Sequence, residues 1–326
     1  MRSALRLLPR LTASALVGGL LYSRFAVPHD APLPPAIEAP RGQLELSGFG
    51  TLSYYADTRA EGTPLLLIHS VNAAASAYEL RPLFEAERAG RPVYALDLPG
   101  FGFSARPDVP YTPELYVRAI TAMLERIGQP TDVVALSLGA EFAARAALTS
   151  AQVRSLALIS PSGLGRPRRG TQQASAEGRS ALAHRWLAFG LWGQALYDLI
   201  ASRASIRYFL RQSFVGPVDP GLEAYGYPTS HRPGARHAPL AFIAGQLFTR
   251  GAFEAIYARL TQPTLIVYDQ DAFVGFDRLP ELVSQNARVR LLRLTPTRGL
   301  PQFERLPDLR AALDHFWTHT DARTIT

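Results

Sequence analysis

The segment Asp132-Val133-Val134-Ala135-Leu136-Ser137-Leu138-Gly139-Ala140 holds the residue best suited to nucleophilic chemistry. Its first half is a run of β-formers, and its second half opens an alanine-rich helix. Ser137 stands between them, with Ala135 two positions before it and Gly139 two positions after. A strand that turns sharply into a helix brings backbone and side chains close together, so the flanking positions must be small. The turn lifts the serine hydroxyl clear of the sheet. It also leaves the Leu138 N–H at a helix N-terminus, where it can face an oxyanion. The common form of this turn is G-x-S-x-G, and here it reads A-x-S-x-G.

Other chemically capable residues stand at similar punctuation marks. His69-Ser70 closes the run from Pro64, Asp97 closes the run from Pro92 and opens Leu98-Pro-Gly-Phe-Gly-Phe-Ser104, and Asp269 closes the run from Pro263. These runs are continuous and apolar, the pattern of strands buried on both faces. Arg154–Ser160 and Arg288–Leu294 are further strands, and Gln43–Leu46 and Thr51–Ala56 alternate around Gly48-Phe-Gly50 as a hairpin. Helical patterns fall between the strands, over Ala75–Ala89, Thr112–Ile127 (Pro113 in its first turn) and Leu138–Thr149. The alternation predicts an α/β fold, with a mostly parallel central sheet of about eight strands and helices on both faces. Groups at the carboxyl ends of such strands converge in space.

From Pro161 to Gly251 the alternation stops. This stretch reads as a Gly/Arg/Ser loop over 163–178, an aromatic-rich helical region from Arg185 to Phe214, a Pro/Gly/His loop over 216–239 and a helix from Leu240 to Phe248. The chain is expected to divide into an N-terminal segment and Pro-rich linker (1–38), a core (39–160 and 252–326) and an insertion (161–251). A helix from Leu306 to Thr318 closes the core.

Taken together, the Asp97–Ser104 loop and the Ser137 turn, in this order and spacing, resemble the α/β-hydrolase family, from about residue 40 to about residue 320. His69-Ser70 resembles that family's His-Gly turn, with serine in place of glycine. The resemblance implies that the Val71 N–H joins the Leu138 N–H as an oxyanion hole. It also implies that the 161–251 insertion is a helical lid. A serine nucleophile needs a base, and the base needs an orienting carboxylate. The family's chain order puts that acid after the strand following the lid, in Asp269-Gln270-Asp271, with Asp271 the better match and Asp269 the second.

The family's histidine belongs after the last strand, in a Gly-His-x-Pro-x-x-Glu-like segment. This chain reads Thr297-Arg298-Gly299-Leu300-Pro301-Gln302-Phe303-Glu304, and no histidine occurs between His237 and His315. Alignment on Pro301 and Glu304 puts Gly299 at the histidine position, whereas alignment on the glycine puts Leu300 there. Among the remaining histidines, His69 reads as a loop-stabilising residue and His315 as a helix residue. His231 and His237 fall in the insertion, and His237 is the candidate replacement base.

The chain has neither cysteine nor lysine, which excludes disulfides, thiolate nucleophiles and lysine Schiff-base chemistry. Of the arginines behind the net charge of +7, Arg2, Arg6, Arg10 and Arg24 precede the first acid, Asp30, and the rest are interleaved with acids except at Arg166-Arg168-Arg169. Nucleic acid is therefore not expected as a partner. The basic start followed by the apolar run Leu11–Tyr22 matches an export signal and is short for a membrane span. An exported or membrane-associated protein of the bacterial cell envelope is expected. No phosphate loop, metal triad or dinucleotide fingerprint appears, so no cofactor is expected. Trp186, Phe189, Trp192, Tyr197, Tyr208 and Phe209 suit a hydrophobic small molecule as partner. Two functions remain open. One is a serine hydrolase, esterase- or lipase-like, acting on a hydrophobic ester or acyl substrate through Ser137. The other is a degenerate relative that binds a hydrophobic ligand or partner without turnover.

Overall fold

Strands that are apolar on both faces need cover on both, and that requirement sets the architecture. The computed structural model describes residues 17–30, 32–166 and 176–324. Its strands are β1 (Arg41–Leu46), β2 (Gly50–Asp57), β3 (Leu65–Ile68), β4 (Val93–Leu96), β5 (Thr131–Leu136), β6 (Val153–Ile159), β7 (Thr264–Tyr268) and β8 (Val289–Arg293). They form one sheet in the order β1-β2-β4-β3-β5-β6-β7-β8. The pairs β1/β2 and β2/β4 are antiparallel, and all the others are parallel.

The helices, in chain order, are α1 (17–26), α2 (Arg81–Glu87), α3 (Pro113–Ile127), α4 (Leu138–Ala147), α5 (Ala176–Leu187), α6 (Gly193–Ile200), α7 (Arg203–Gln212), α8 (Pro220–Ser230), α9 (His237–Ile243), α10 (Ala252–Ala255), α11 (Leu279–Gln285), α12 (Pro301–Glu304) and α13 (Leu306–Thr324). Successive strand residues face opposite sides. Leu66, Ile68, Val133, Ala135, Leu156 and Leu158 join α3, α4 and α11 in one buried cluster. Leu65, Leu67, Val134, Leu136, Ala157 and Ile159 join α2 and α13 in the other. The expected mostly parallel eight-stranded sheet with helices on both faces is therefore present. α3 shows why its ends fall where they do: the Thr112 hydroxyl accepts from Leu115 N–H, Pro113 opens the helix, and Gly128 closes it at φ 76°.

Several elements depart from the sequence pattern. The stretch read as a helix over 75–89 is a 3-10 turn, Ala77–Leu80, followed by α2 with Pro82 in its first turn. The stretch read as a loop over 216–239 contains α8. Asp219 caps α8 through Leu222 N–H and Pro220 starts it, but Gly221, Gly226 and Pro228 mask the signal. Tertiary packing decides the outcome: Tyr225 stacks on Tyr78 at 5.0 Å, and Leu222 is buried. The helix read over Leu240–Phe248 starts earlier, at His237, and ends before Gly245 at φ 78°.

The chain ahead of β1 is tied to both the core and the insertion. Leu33, Ala36 and Ile37 are buried, and Ala36 N–H donates to the Tyr55 hydroxyl at 2.9 Å. The Ser23 hydroxyl donates to Asp198 Oδ2 at 2.6 Å, and His29 Nε2 lies 3.0 Å from the same carboxylate on α6. Among the described residues, no helix is long and apolar enough to cross a membrane. Residues 11–16 of the apolar run, and Arg168 and Arg169 of the basic cluster, lie outside the described residues.

Candidate active site

Ser137 joins β5 to α4 at φ 54° and ψ −120°, a conformation that non-glycine residues seldom adopt. The strain is held from both sides. Ser137 N–H donates to Ile159 O at 2.8 Å, and α4 is packed onto the turn after β3. Gly139 makes that approach possible, because a Cβ there would overlap the His69 carbonyl oxygen. The serine remains partly exposed. Among the described residues, its hydroxyl forms no hydrogen bond, and the N–H groups of Val71 and Leu138 have no acceptor.

The turn that presents Val71 is clasped from behind. Glu79 accepts from Ser70 N–H at 2.8 Å, from the Ser70 hydroxyl at 2.9 Å and from the Asn72 amide at 2.9 Å. Burial raises the Glu79 carboxyl above its usual range, against those three donors. His69 is consumed by the same turn. Its Nε2 accepts from Leu98 N–H at 3.0 Å, so the ring proton is on Nδ1 and donates to Ser70 O at 2.6 Å. Burial lowers its pKa to about 4, so the ring stays neutral and has no free lone pair for a reaction. The sequence signal for His69 as a loop-stabilising residue agrees with this geometry.

Asp97 braces the adjacent loop, accepting from Ala77 N–H at 3.1 Å and Phe103 N–H at 2.9 Å. Burial raises its pKa to about 6 despite those bonds. Between about pH 4 and 6 the folded state therefore binds more protons than the unfolded chain, and stability falls as pH rises, by up to about 3 kcal/mol. We expect that slope in the urea midpoint of the wild type to be absent in Asp97→Asn. Parallel pH profiles would show that the carboxyl does not titrate in this window.

Two aspartates follow β7, and they have different surroundings. Asp269 Oδ1 pairs with Arg293 Nε at 2.9 Å, and Oδ2 accepts from Thr297 N–H at 3.0 Å. Burial opposes its ionisation, but these partners prevail and its pKa is lowered. Asp271 Oδ1 accepts from Phe273 and Val274 N–H at 2.7 and 3.1 Å, and the Ser160 hydroxyl also stabilises the carboxylate. Burial nevertheless raises its pKa. Asp269 is thus engaged in pinning β8 and its following turn. Asp271 instead faces Gly299: a Cβ on Gly299 would lie 2.8 Å from Asp271 Oδ2. Leu300, the other alignment, is buried in the core at 8% exposure. Residue 299 is therefore the position whose side chain would meet the carboxylate.

His237 and His231 of the insertion each have a partner near Nδ1. His237 opens α9, with Nδ1 3.4 Å from Asp108 Oδ1, and burial lowers its pKa against the pull of that carboxylate. His231 is stacked on Tyr227 at 3.9 Å, and its Nδ1 lies 2.8 Å from Tyr227 O. His29 carried no motif in the sequence, and its link to Asp198 has a sequence separation of 169 residues. Among the described residues, no cluster of histidine and carboxylate groups could hold a metal.

A mostly parallel sheet with a strained serine between strand and helix, acceptor-free amides following adjacent strands and a carboxylate two strands away defines the class. The alpha/beta hydrolase family profile matches residues 65–323, and the chain belongs to that family. No curated protein matches the sequence. Among solved structures, it is similar to a serine hydrolase involved in carbazole degradation (17% identity, 86% of this chain and 99% of that one, TM-score 0.66). It is also similar to a probable hydrolytic enzyme from Pseudomonas aeruginosa (20%, 88% and 98%, TM-score 0.68). A third is a membrane phospholipase A (20%, 98% and 99%, TM-score 0.67).

Proposed function

We propose that the protein is a serine hydrolase that cleaves a hydrophobic or amphiphilic ester through Ser137. The observation that carries this reading is the Ser137 turn: a strained backbone at φ 54° between β5 and α4, with the acceptor-free amides of Val71 and Leu138 following the adjacent strands β3 and β5. Strain of this kind costs on the order of 1–3 kcal/mol and persists where the surrounding structure enforces it, typically at functional sites. The two N–H groups would hold the oxyanion of the tetrahedral intermediate, and Asp271 is the acid.

The helical insertion serves as a lid in this reading. Its exposed face, with Leu182, Trp186, Phe189, Leu191 and Leu199, lies near Tyr22 of α1, and Trp186, Leu199 and Tyr22 line one cavity of about 770 Å³. Exposed apolar area of this kind suits an amphiphile or a membrane surface. The similarity to a membrane phospholipase A over 98% of this chain is in keeping with a lipid-like ester and a membrane-associated setting. The second reading, a non-catalytic ligand-binding protein, rests on Gly299 at the position facing Asp271.

Treatment of the folded protein with a fluorophosphonate, followed by intact mass measurement, separates the two. One adduct is expected on the wild type and none on Ser137→Ala. A wild type that stays unmodified while showing a cooperative thermal transition would leave the binding reading.

A further inference from the structure

Asp271 is a carboxylate without a cation. Its acceptor positions are used by Phe273 N–H, Val274 N–H and the Ser160 hydroxyl, and among the described residues no arginine or histidine pairs with it. It is only partly buried, as is Ser137. Facing Asp271 the chain presents Gly299, which has no side chain to offer. Among the described residues the Ser137 hydroxyl has no hydrogen-bond partner, His69 and His231 are bonded to backbone groups, and His237 Nδ1 lies 3.4 Å from Asp108 Oδ1. Among the described residues, the site thus has a nucleophile, two candidate oxyanion donors and a counter-ion, and no histidine is hydrogen-bonded to its serine.

We propose that the acceptor comes with the ligand: a neutral basic nitrogen, an amine or an imidazole on the acyl portion of the substrate, docks between Ser137 and Asp271 beside Gly299. The inference rests on the serine-hydrolase reading and narrows its substrate class to esters of nitrogen-bearing acids. The nitrogen accepts the Ser137 proton as the bond from Oγ to the acyl carbon forms, and the carbonyl oxygen becomes the oxyanion at Val71 and Leu138. The resulting ammonium or imidazolium is stabilised by Asp271. When the intermediate collapses, the C–O bond breaks and that proton leaves on the alcohol. Water then repeats the sequence, giving its proton to the same nitrogen, and Ser137 regains one on release of the acid. Keeping the base on the acyl side leaves it in place for both halves of the reaction.

Free imidazole serves as the probe. The full chain is assayed on p-nitrophenyl butyrate, an ester without nitrogen in its acyl part, against a Ser137→Ala background. Imidazole is expected to raise the enzymatic rate saturably, by at least about tenfold, since a positioned base is worth about 10²–10⁴. The rise should follow the neutral fraction of imidazole across pH. Pyrazole, of the same size and far weaker as a base, should give none. A rate that is high without imidazole and insensitive to it overturns the inference and leaves the serine-hydrolase reading standing, with the base then sought at His237. A protein that neither hydrolyses the ester nor takes a fluorophosphonate, with or without imidazole, overturns both.

Discussion

Gly299→His should raise the rate of fluorophosphonate labelling at Ser137 by about 10²-fold or more, the range that a positioned general base supplies. The expectation follows from where the first side-chain atom would stand, 2.8 Å from Asp271 Oδ2. A carboxylate oxygen is the movable end of a side chain, so a shift of a few tenths of an ångström turns that crowding into a hydrogen-bonding distance for the ring. The cost lies in the backbone: Gly299 has φ 96°, where a Cβ is strained by about 1–3 kcal/mol. Gly299→Ala carries the same strain without an imidazole and is the matched control. It should melt at a similarly lowered temperature and label no faster than the wild type. Equal labelling rates for the two variants, both shown to be folded, would mean that residue 299 does not address Ser137. The His variant should also lose any response to added imidazole, because the built-in ring would occupy the same place.

The elbow, the sheet and the family were legible because each rests on local rules. Continuous apolar runs, small residues around Ser137 and an aspartate after a buried strand can all be read without tertiary structure. What was not legible depended on distant partners. α8 carries two glycines and an internal proline, and forms because Leu222 and Tyr225 pack on the turn that precedes α2. The reading of 1–38 as an N-terminal segment and Pro-rich linker could not foresee that Ala36 N–H would find the Tyr55 hydroxyl. The choice between Gly299 and Leu300 was open in the sequence, since both sit one or two residues before Pro301. The structure separates them by direction, one facing Asp271 and the other buried in the core. Glu79, which clasps the Val71 turn, had no motif at all: a buried glutamate surrounded by backbone and amide donors is visible only once the turn is folded.

Asp132→Ala should destabilise the fold by about 3–5 kcal/mol, the usual effect of removing one partner from a buried charge cluster. Asp132 is the second residue of β5, the strand that leads into Ser137, and is fully buried. It accepts from Arg154 Nε and Nη2 at 2.8 and 2.5 Å, from the Ser155 hydroxyl at 2.5 Å and from Arg91. The Arg91 and Arg154 side chains are only 11% and 16% exposed, so both guanidiniums would stay largely out of water after their carboxylate is gone. Arg91 keeps its bond to Thr63 O and its place over the Trp317 ring at 4.4 Å, which holds the unpaired charge in position instead of releasing it to solvent. Against a total stability of about 5–15 kcal/mol, a loss of this size is a large fraction of the whole. The effect should be confined to stability. Asp132 and Ser137 are at opposite ends of β5, about 17 Å apart along the strand, and β5 remains paired with β3 and β6. Urea titration should therefore show a lower midpoint with an unchanged slope, while the folded fraction labels at Ser137 at the wild-type rate. A shift below about 1 kcal/mol would mean that water compensates the two arginines. A folded variant that no longer labels would mean that the strained turn depends on the far end of its strand.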